Sequence, residues 1–322
     1  MKQKNMNRRE LMARMAAAGT GAALGFASLA HAAEDAAAPA AAAERRSRRG
    51  RTGRGGMRIS TPNAQRLGWR IAVQLYTFRD RTFYEALDVI SGMGVRLVEP
   101  AFFLPLSKDK PGLTTSEALS ADMRKEMKKQ LDDRGMRMIN YYAQLEADES
   151  AYRKIFDFAK EMGVETLVAE PPVEKLEAID KLCEEYKINL GIHNHPEGSG
   201  SLYWNPDAFV KACEGRSPRI GGCPDTGHWV RSGLDTLASL KKYEKRIVTL
   251  HLKDAAESGN RESRDVPLGE GKANYAAILK QVLDWKWRGV MTVEYEHQSP
   301  QLVEEVAKCV KYVEDFAASV KA

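Results

Sequence analysis

Gly222-Cys223-Pro224-Asp225-Thr226-Gly227-His228 and, a short helix further on, Ile247-Val248-Thr249-Leu250-His251-Leu252-Lys253-Asp254 decide how this chain is read. Each is a short apolar run that ends in an acid or an imidazole. Such runs are buried strands that deliver a polar group at their C-terminal tips, which is how a (β/α)₈ barrel builds a site. The remainder of the chain should then hold six more strands and eight helices.

Working outward, strand-like runs recur at 70–76, 95–99, 136–142, 165–170, 188–195, 220–225, 247–254 and 290–296. Helical periodicity fills the intervals, for example at 83–93, 117–134, 151–162, 175–186, 234–243, 275–283 and 302–320. Gly94, Gly135 and Gly163 follow the first three helices, where a left-handed C-terminal residue is wanted. Eight strands each followed by a helix in residues 69–322 predict an α/β fold, a (β/α)₈ barrel. An open doubly wound sheet would carry a glycine-rich fingerprint after its first strand, and none is there.

Two segments precede the barrel. Residues 1–32 read as an export signal: Asn7-Arg8-Arg9-Glu10-Leu11-Met12, an Ala/Gly-rich run and Ala30-His31-Ala32 as a cleavage pattern. The Arg8-Arg9 pair resembles a twin-arginine signal and implies a periplasmic or otherwise exported protein. The apolar run is too short to span a bilayer, so no membrane span is expected after signal cleavage. Residues 33–68, rich in Ala and Arg, read as a disordered linker.

Charge excludes one class of partner. The chain carries a formal +5, but residues 1–68 hold thirteen Lys/Arg against four acids, which leaves 69–322 at −4. The barrel therefore lacks the basic footprint of a nucleic-acid binder. Four cysteines without a CxxC pair read as buried free thiols. The sequence leaves homo-oligomerisation open.

The strand tips carry the chemistry: Tyr76, Glu99, Tyr141 or Tyr142, Glu170, His193 with His195, Asp225 with His228, His251 with Lys253, and Glu294 with Glu296. The fourth to eighth tips can all bind a divalent ion. Mixed carboxylate and imidazole donors suit Mn²⁺, Co²⁺, Zn²⁺ or Fe²⁺ better than Ca²⁺. Five of six histidines follow residue 190, and four of these sit on adjacent tips. Alternation puts both members of the pairs His193/His195, His251/Lys253 and Glu294/Glu296 on one face, so the sequence does not say which member would touch a metal. His297 falls in a loop, and Gly269-Glu270-Gly271 reads as the turn before a helix.

Ile71-Ala72-Val73-Gln74-Leu75-Tyr76, Asp225-x-x-His228, His251-Leu252-Lys253-Asp254, Arg264-Asp265-Val266-Pro267-Leu268-Gly269-Glu270-Gly271 and Gly289-Val290-Met291-Thr292-Val293-Glu294 together resemble the xylose-isomerase-like TIM-barrel superfamily. That superfamily holds sugar isomerases, epimerases and relatives such as apurinic endonuclease. The resemblance implies one divalent ion held by Asp225, His251 and Glu294, with His228 and Arg264 on substrate oxygens. Its ketose 3-epimerases place a ligand glutamate on the fifth strand. Here Gly191-Ile192-His193 stands in that place, so His193 would replace it.

Those epimerases use two glutamates as acid and base, of which this chain would keep Glu294. Glu170, His195 or Lys253 could supply the second proton-transfer group. The resemblance thus implies metal-assisted proton abstraction next to a carbonyl of an unphosphorylated keto-sugar, with isomerisation or epimerisation as outcome. The alternative is a lyase or dehydratase that cleaves 3-keto-glycosides by β-elimination. A non-catalytic sugar-binding barrel is a third reading, with Tyr203, Trp204 and Trp229 stacking on sugar faces; Tyr76 and Trp229 are the expected aromatic substrate contacts. The nuclease relatives gather extra histidines on early strands, and residues 69–192 contain none.

Overall fold

The computed structural model describes residues 58–145 and 149–321. Its strands are β1 (Trp69–Gln74), β2 (Leu97–Glu99), β3 (Arg137–Met138), β4 (Asn140–Tyr142), β5 (Thr166–Ala169), β6 (Asn189–His193), β7 (Ile220–Cys223), β8 (Thr249–Leu252), β9 (Asp254–Ala255), β10 (Asp265–Val266) and β11 (Gly289–Val293). The helices are α1 (Pro62–Arg66), α2 (Phe83–Met93), α3 (Ala121–Asp132), α4 (Glu149–Met162), α5 (Leu176–Tyr186), α6 (Pro206–Cys213), α7 (Thr226–Arg231), α8 (Thr236–Lys241), α9 (Tyr275–Asp284) and α10 (Leu302–Ser319).

Parallel pairing runs β3-β2-β1-β11-β8 and β4-β5-β6-β7. Two seams close these arcs into a ring of eight staves. At the first, β3 and β4 are one stave broken at Ile139, whose N–H donates to Val98 O at 3.1 Å. At the second, Gly222 N–H donates to Arg246 O (2.6 Å), and His251 N–H donates to Pro224 O (3.0 Å). Glycine is required there: a Cβ on Gly222 would lie 2.3 Å from the Tyr243 ring. The antiparallel β9–β10 pair stands outside the ring.

The helices form for ordinary reasons. In α2, Thr82 and Glu85 make a reciprocal capping box, and Gly94 ends the helix at φ 100°. Phe83, Ala86, Leu87, Ile90 and Met93 face the barrel wall, and burying each large side chain contributes about 1.5–3 kcal/mol. Gly135 and Gly163 also adopt positive φ, as their positions predict.

Residues 58–68 correct the expected linker boundary, because they belong to the barrel. Ile59 N–H donates to Met93 O at 2.7 Å, and α1 packs on α10. There the buried Glu314 carboxylate accepts the backbone N–H groups of Asn63 and Ala64 at 3.0 and 2.9 Å. The export signal and the rest of the linker lie outside the described residues. Among the described residues no helix is long and apolar enough to cross a membrane. All four cysteines are free and buried, as expected.

Inward-facing residues rise in layers toward the C-terminal ends of the staves. Ala72, Ile139 and Val290 form a small apolar layer. Further along lies a polar one, where Asn140 Nδ2 donates to Glu99 (3.0 Å) and Thr249 (2.9 Å), and Thr292 Oγ1 donates to Glu99 (3.3 Å). Alternation then carries Thr249 to His251 and Lys253, and Thr292 to Glu294. The site stands on this buried floor.

Candidate active site

Four of the expected side chains converge. His193 ends β6, Asp225 caps α7, His251 lies in β8, and Glu294 follows β11. One donor atom from each lies within 4.8 Å of the others, and all four residues are buried. His193 Nε2 is 3.6 Å and His251 Nδ1 4.0 Å from Asp225 Oδ2, and His251 Nδ1 is 2.9 Å from Glu294 Oε2. Metal bonds of about 2.1 Å put neighbouring ligand atoms roughly 3–4 Å apart, so the spacing fits one ion.

His193 Nε2 is buried without a hydrogen-bond partner, and Asp225 Oδ2, 3.6 Å from it, has the Lys253 ammonium at 3.0 Å beside it. Buried polar atoms seldom stay unpaired, and these two face each other across the centre of the set. Two carboxylates with two imidazoles also match the charge and borderline softness of a first-row divalent cation.

Local charge points the same way. Around the centre stand the carboxylates of Glu99, Glu170, Asp225, Asp265, Glu294 and Glu296, against two permanent cations, Lys253 and Arg231. The Lys253 ammonium is fully buried, 3.0 Å from Asp225 Oδ2, 3.3 Å from Glu294 Oε2 and 2.8 Å from Glu296 Oε1. Burial alone would lower its pKa, but the three carboxylates outweigh it and hold it above the ordinary lysine range. Burial opposes ionisation of Glu294, yet Lys253 and His251 draw it down to about 2. Asp225 is likewise held well below the usual carboxylate range by His228 and Lys253, against burial. The His228 pKa is lowered too, well below the usual imidazole range, because burial disfavours its cation and the nearby Lys253 charge adds to this; its Nε2 lies 3.2 Å from Lys253 Nζ.

Glu170, at the end of β5, faces His193 Nδ1 at 3.3 Å and makes a closer contact with His195 Nδ1. Burial opposes its ionisation, and the two imidazoles hold it well below the usual range. The His195 side chain is 27% exposed, against 3% or less for His193, His228 and His251. It is therefore the site imidazole open to the mouth. Tyr76 sits half-buried on the turn after β1, with the Arg79 guanidinium 4.6 Å from its ring centroid. Burial, and then Glu296 and Glu294, raise its phenol while Arg79 opposes.

Two expected substrate contacts are not where they were read. Trp229 is fully buried on the outer side of the wall, ring to ring with Tyr243 at 5.3 Å. The segment 226–231 is a helix, capped by the Asp225 carboxylate on His228 N–H at 3.0 Å. Helical spacing puts His228 and Arg231 on one face and turns Trp229 away. Arg264 is exposed, and no hydrogen bond or ion pair of the cluster involves it. Arg264 immediately precedes β10, one residue out of phase with the buried Asp265 that starts it. Tyr203 is buried too, its hydroxyl donating to Pro171 O at 2.7 Å.

Arg231, not Arg264, is the arginine that enters the cluster. Its guanidinium reaches Asp265 Oδ1 and Glu296 Oε2, each at 2.6 Å. The aspartate cap that starts α7 was the signal for it. Asp254, next to Lys253, accepts four backbone N–H groups, from Ala255, Gly269, Gly271 and Ala273. It thereby folds the Gly-Glu-Gly turn.

A family model described as xylose isomerase-like TIM barrel matches residues 87–313. Inosose dehydratase of Clostridium perfringens strain 13 is 32% identical over 160 residues, 44% of this chain and 52% of that protein. SgbU of Escherichia coli K12, provisionally named an L-ribulose-5-phosphate 3-epimerase, is 30% identical over 102 residues, 30% of this chain and 36% of that protein. This chain thus spans about half or less of the curated relatives it matches. A crystal structure of an uncharacterised protein from Parabacteroides distasonis superposes with a TM-score of 0.62 at 27% identity, covering 77% of this chain and 99% of that one.

Proposed function

The chain belongs to the xylose isomerase-like TIM-barrel family, and from that premise we propose that it is a divalent-metal-dependent sugar isomerase or epimerase. It would remove a proton next to a carbonyl of an unphosphorylated keto-sugar. The observation that carries this reading is the convergence of His193, Asp225, His251 and Glu294 on one buried point. A cation held there would act as a Lewis acid toward a substrate carbonyl and its neighbouring hydroxyl.

The protein groups divide the remaining work. Glu294, ionised at neutral pH, would accept the α-proton. His195 has its Nδ1 tied to Glu170 and its ring open to the mouth, so it can return a proton from elsewhere on the rim. Lys253 supplies positive charge beside substrate oxygens as negative charge develops, and His228, whose nitrogens face Arg231 Nη1 at 3.3 Å and Lys253 Nζ at 3.2 Å, holds those two cations in place. Six carboxylates against two permanent cations disfavour a phosphate dianion, which supports an unphosphorylated substrate. Tyr76 remains the aromatic contact at the mouth.

A second reading is a dehydratase or lyase. It is favoured by His193 standing where the epimerases keep their second glutamate, which leaves one carboxylate ligand able to act as base. Inosose dehydratase among the relatives supports it as well. The twin-arginine-like leader read in residues 1–32 supports an exported location.

The test is incubation of metal-loaded protein in D₂O with keto-sugars and 3-keto-glycosides. Deuterium gained at one carbon without bond cleavage supports the isomerase; release of an aglycone or of water supports the lyase. No exchange with any of these substrates rules out carbanion chemistry, and with it both readings.

A further inference from the structure

Glu170, His193 and His195 form a second cluster of metal-ligating side chains, and it shares His193 with the first. A neutral imidazole has one N–H and one lone pair, so His193 cannot serve an ion on each side. Its surroundings decide which nitrogen carries the proton. Nδ1 faces Glu170 Oε1 at 3.3 Å. Nε2 is buried, lacks a hydrogen-bond partner and points to Asp225 Oδ2. The proton therefore belongs on Nδ1, and the free lone pair is aimed at the metal set.

His251 repeats the arrangement with its nitrogens exchanged. Nε2 lies 2.7 Å from Glu99 Oε1, while Nδ1 turns to Glu294 Oε2 at 2.9 Å. Glu99 is itself fixed, since it accepts from Asn140 Nδ2 and Thr292 Oγ1.

We propose that Glu170 and Glu99 are positioning residues of the metal centre: each accepts the N–H of one ligand imidazole, fixes its tautomer and turns the other nitrogen to the ion. The inference rests on the metal reading above. It assigns Glu170 a different task from the proton transfer expected of it. A carboxylate ligand needs no tautomer, but an imidazole does. A chain with histidine at 193 therefore needs an acceptor behind the ring, and the preceding stave supplies the buried Glu170 carboxylate, 3.3 Å from Nδ1. The same carboxylate receives Nδ1–H of His195 and leaves that ring's Nε2 for proton exchange with the substrate.

The test is metal binding, not turnover. Metal-free full-length protein is titrated with Co²⁺, reading heat and the visible Co²⁺ absorption, and the melting temperature of each metal-free variant is measured alongside. The wild-type chain should bind one ion. Glu170→Ala should weaken binding about 10- to 100-fold and alter the Co²⁺ spectrum. Glu170→Gln, whose amide oxygen still accepts Nδ1–H, should recover most of the loss. If Glu170→Ala does not fold, Glu170→Met, matched in volume, gives the same comparison. Binding by Glu170→Ala within about twofold of wild type with an unchanged spectrum overturns the proposal, since losing the acceptor should cost at least tenfold. So does a second ion on the wild-type chain that Glu170→Ala loses, for Glu170 would then be a ligand. A wild-type chain that binds no ion overturns the metal reading as well.

Discussion

Removing the Asp254 carboxylate should unfasten the loop that closes the seventh connection. Its Oδ1 accepts from Ala255 (3.0 Å) and Ala273 (2.9 Å), and its Oδ2 from Gly269 and Gly271 (both 3.0 Å). Burial raises the Asp254 pKa, and the four N–H donors hold it back. In Asp254→Ala, Gly269 and Gly271 can turn partly to water, but Ala255 and Ala273 are fully buried. Two stranded N–H groups at about 1–3 kcal/mol each, less the relief of no longer burying a charge, come to roughly 3 kcal/mol. For a domain of this size about 2–4 °C is lost per kcal/mol, so the melting temperature should fall by roughly 6–12 °C. Asp254→Asn keeps an acceptor for two donors and presents an NH₂ to the other two, so it should lose at least half as much. Thermal unfolding by circular dichroism, with limited proteolysis between 267 and 274, measures both. A melting temperature within about 2 °C of wild type, which corresponds to no more than about 1 kcal/mol, with an uncut loop, would refute the idea that one carboxylate organises this turn.

At the opposite end of the barrel, Arg70 and Glu165 form a bidentate pair at 2.9 and 2.7 Å. The Arg70 hydrogen bond lowers the Glu165 pKa, against partial burial. A depressed carboxylate contributes stability that is present above its unfolded pKa and lost as pH falls through the folded one. Glu165→Gln should therefore cost about 0.2–1 kcal/mol at pH 7, discounted for exposure, and nothing once the pH is below the folded pKa. Equal losses at pH 7 and pH 2 in urea titrations would contradict the pairing. Gly227→Ala should destabilise the chain by about 1–3 kcal/mol despite a better helix propensity. The added Cβ would sit 2.5 Å from Lys253 Cγ, and three carboxylates pin that lysine. It should also cut turnover at least tenfold; a stabilised, fully active Gly227→Ala would show that Lys253 is free to move.

Much of this arrangement was legible in the sequence because it is local. Each stave is an apolar run with a polar tip, so the ring and the set of His193, Asp225, His251 and Glu294 could be read from periodicity and resemblance together. The misreadings came where geometry is set by the next residue. Trp229, one residue past His228, is expected at the substrate, but in the helix that Asp225 caps it turns away and Arg231 comes round to the cluster. Arg264 failed by one residue of strand parity. Glu99 and Glu170 were visible as strand tips, but which imidazole each one backs depends on the curvature that brings staves far apart in sequence together. No single-sequence pattern encodes that. The pairs His193/His195 and Glu294/Glu296 split for the same reason: both members face the site, and only the inner one reaches its centre.

Metal content of purified chains is the most direct measurement. The wild-type protein, dialysed against a divalent transition metal and then metal-free buffer, should retain one ion per chain, and Asp225→Ala and His251→Ala should retain none while staying folded. Either variant keeping one ion per chain would contradict the centre described here.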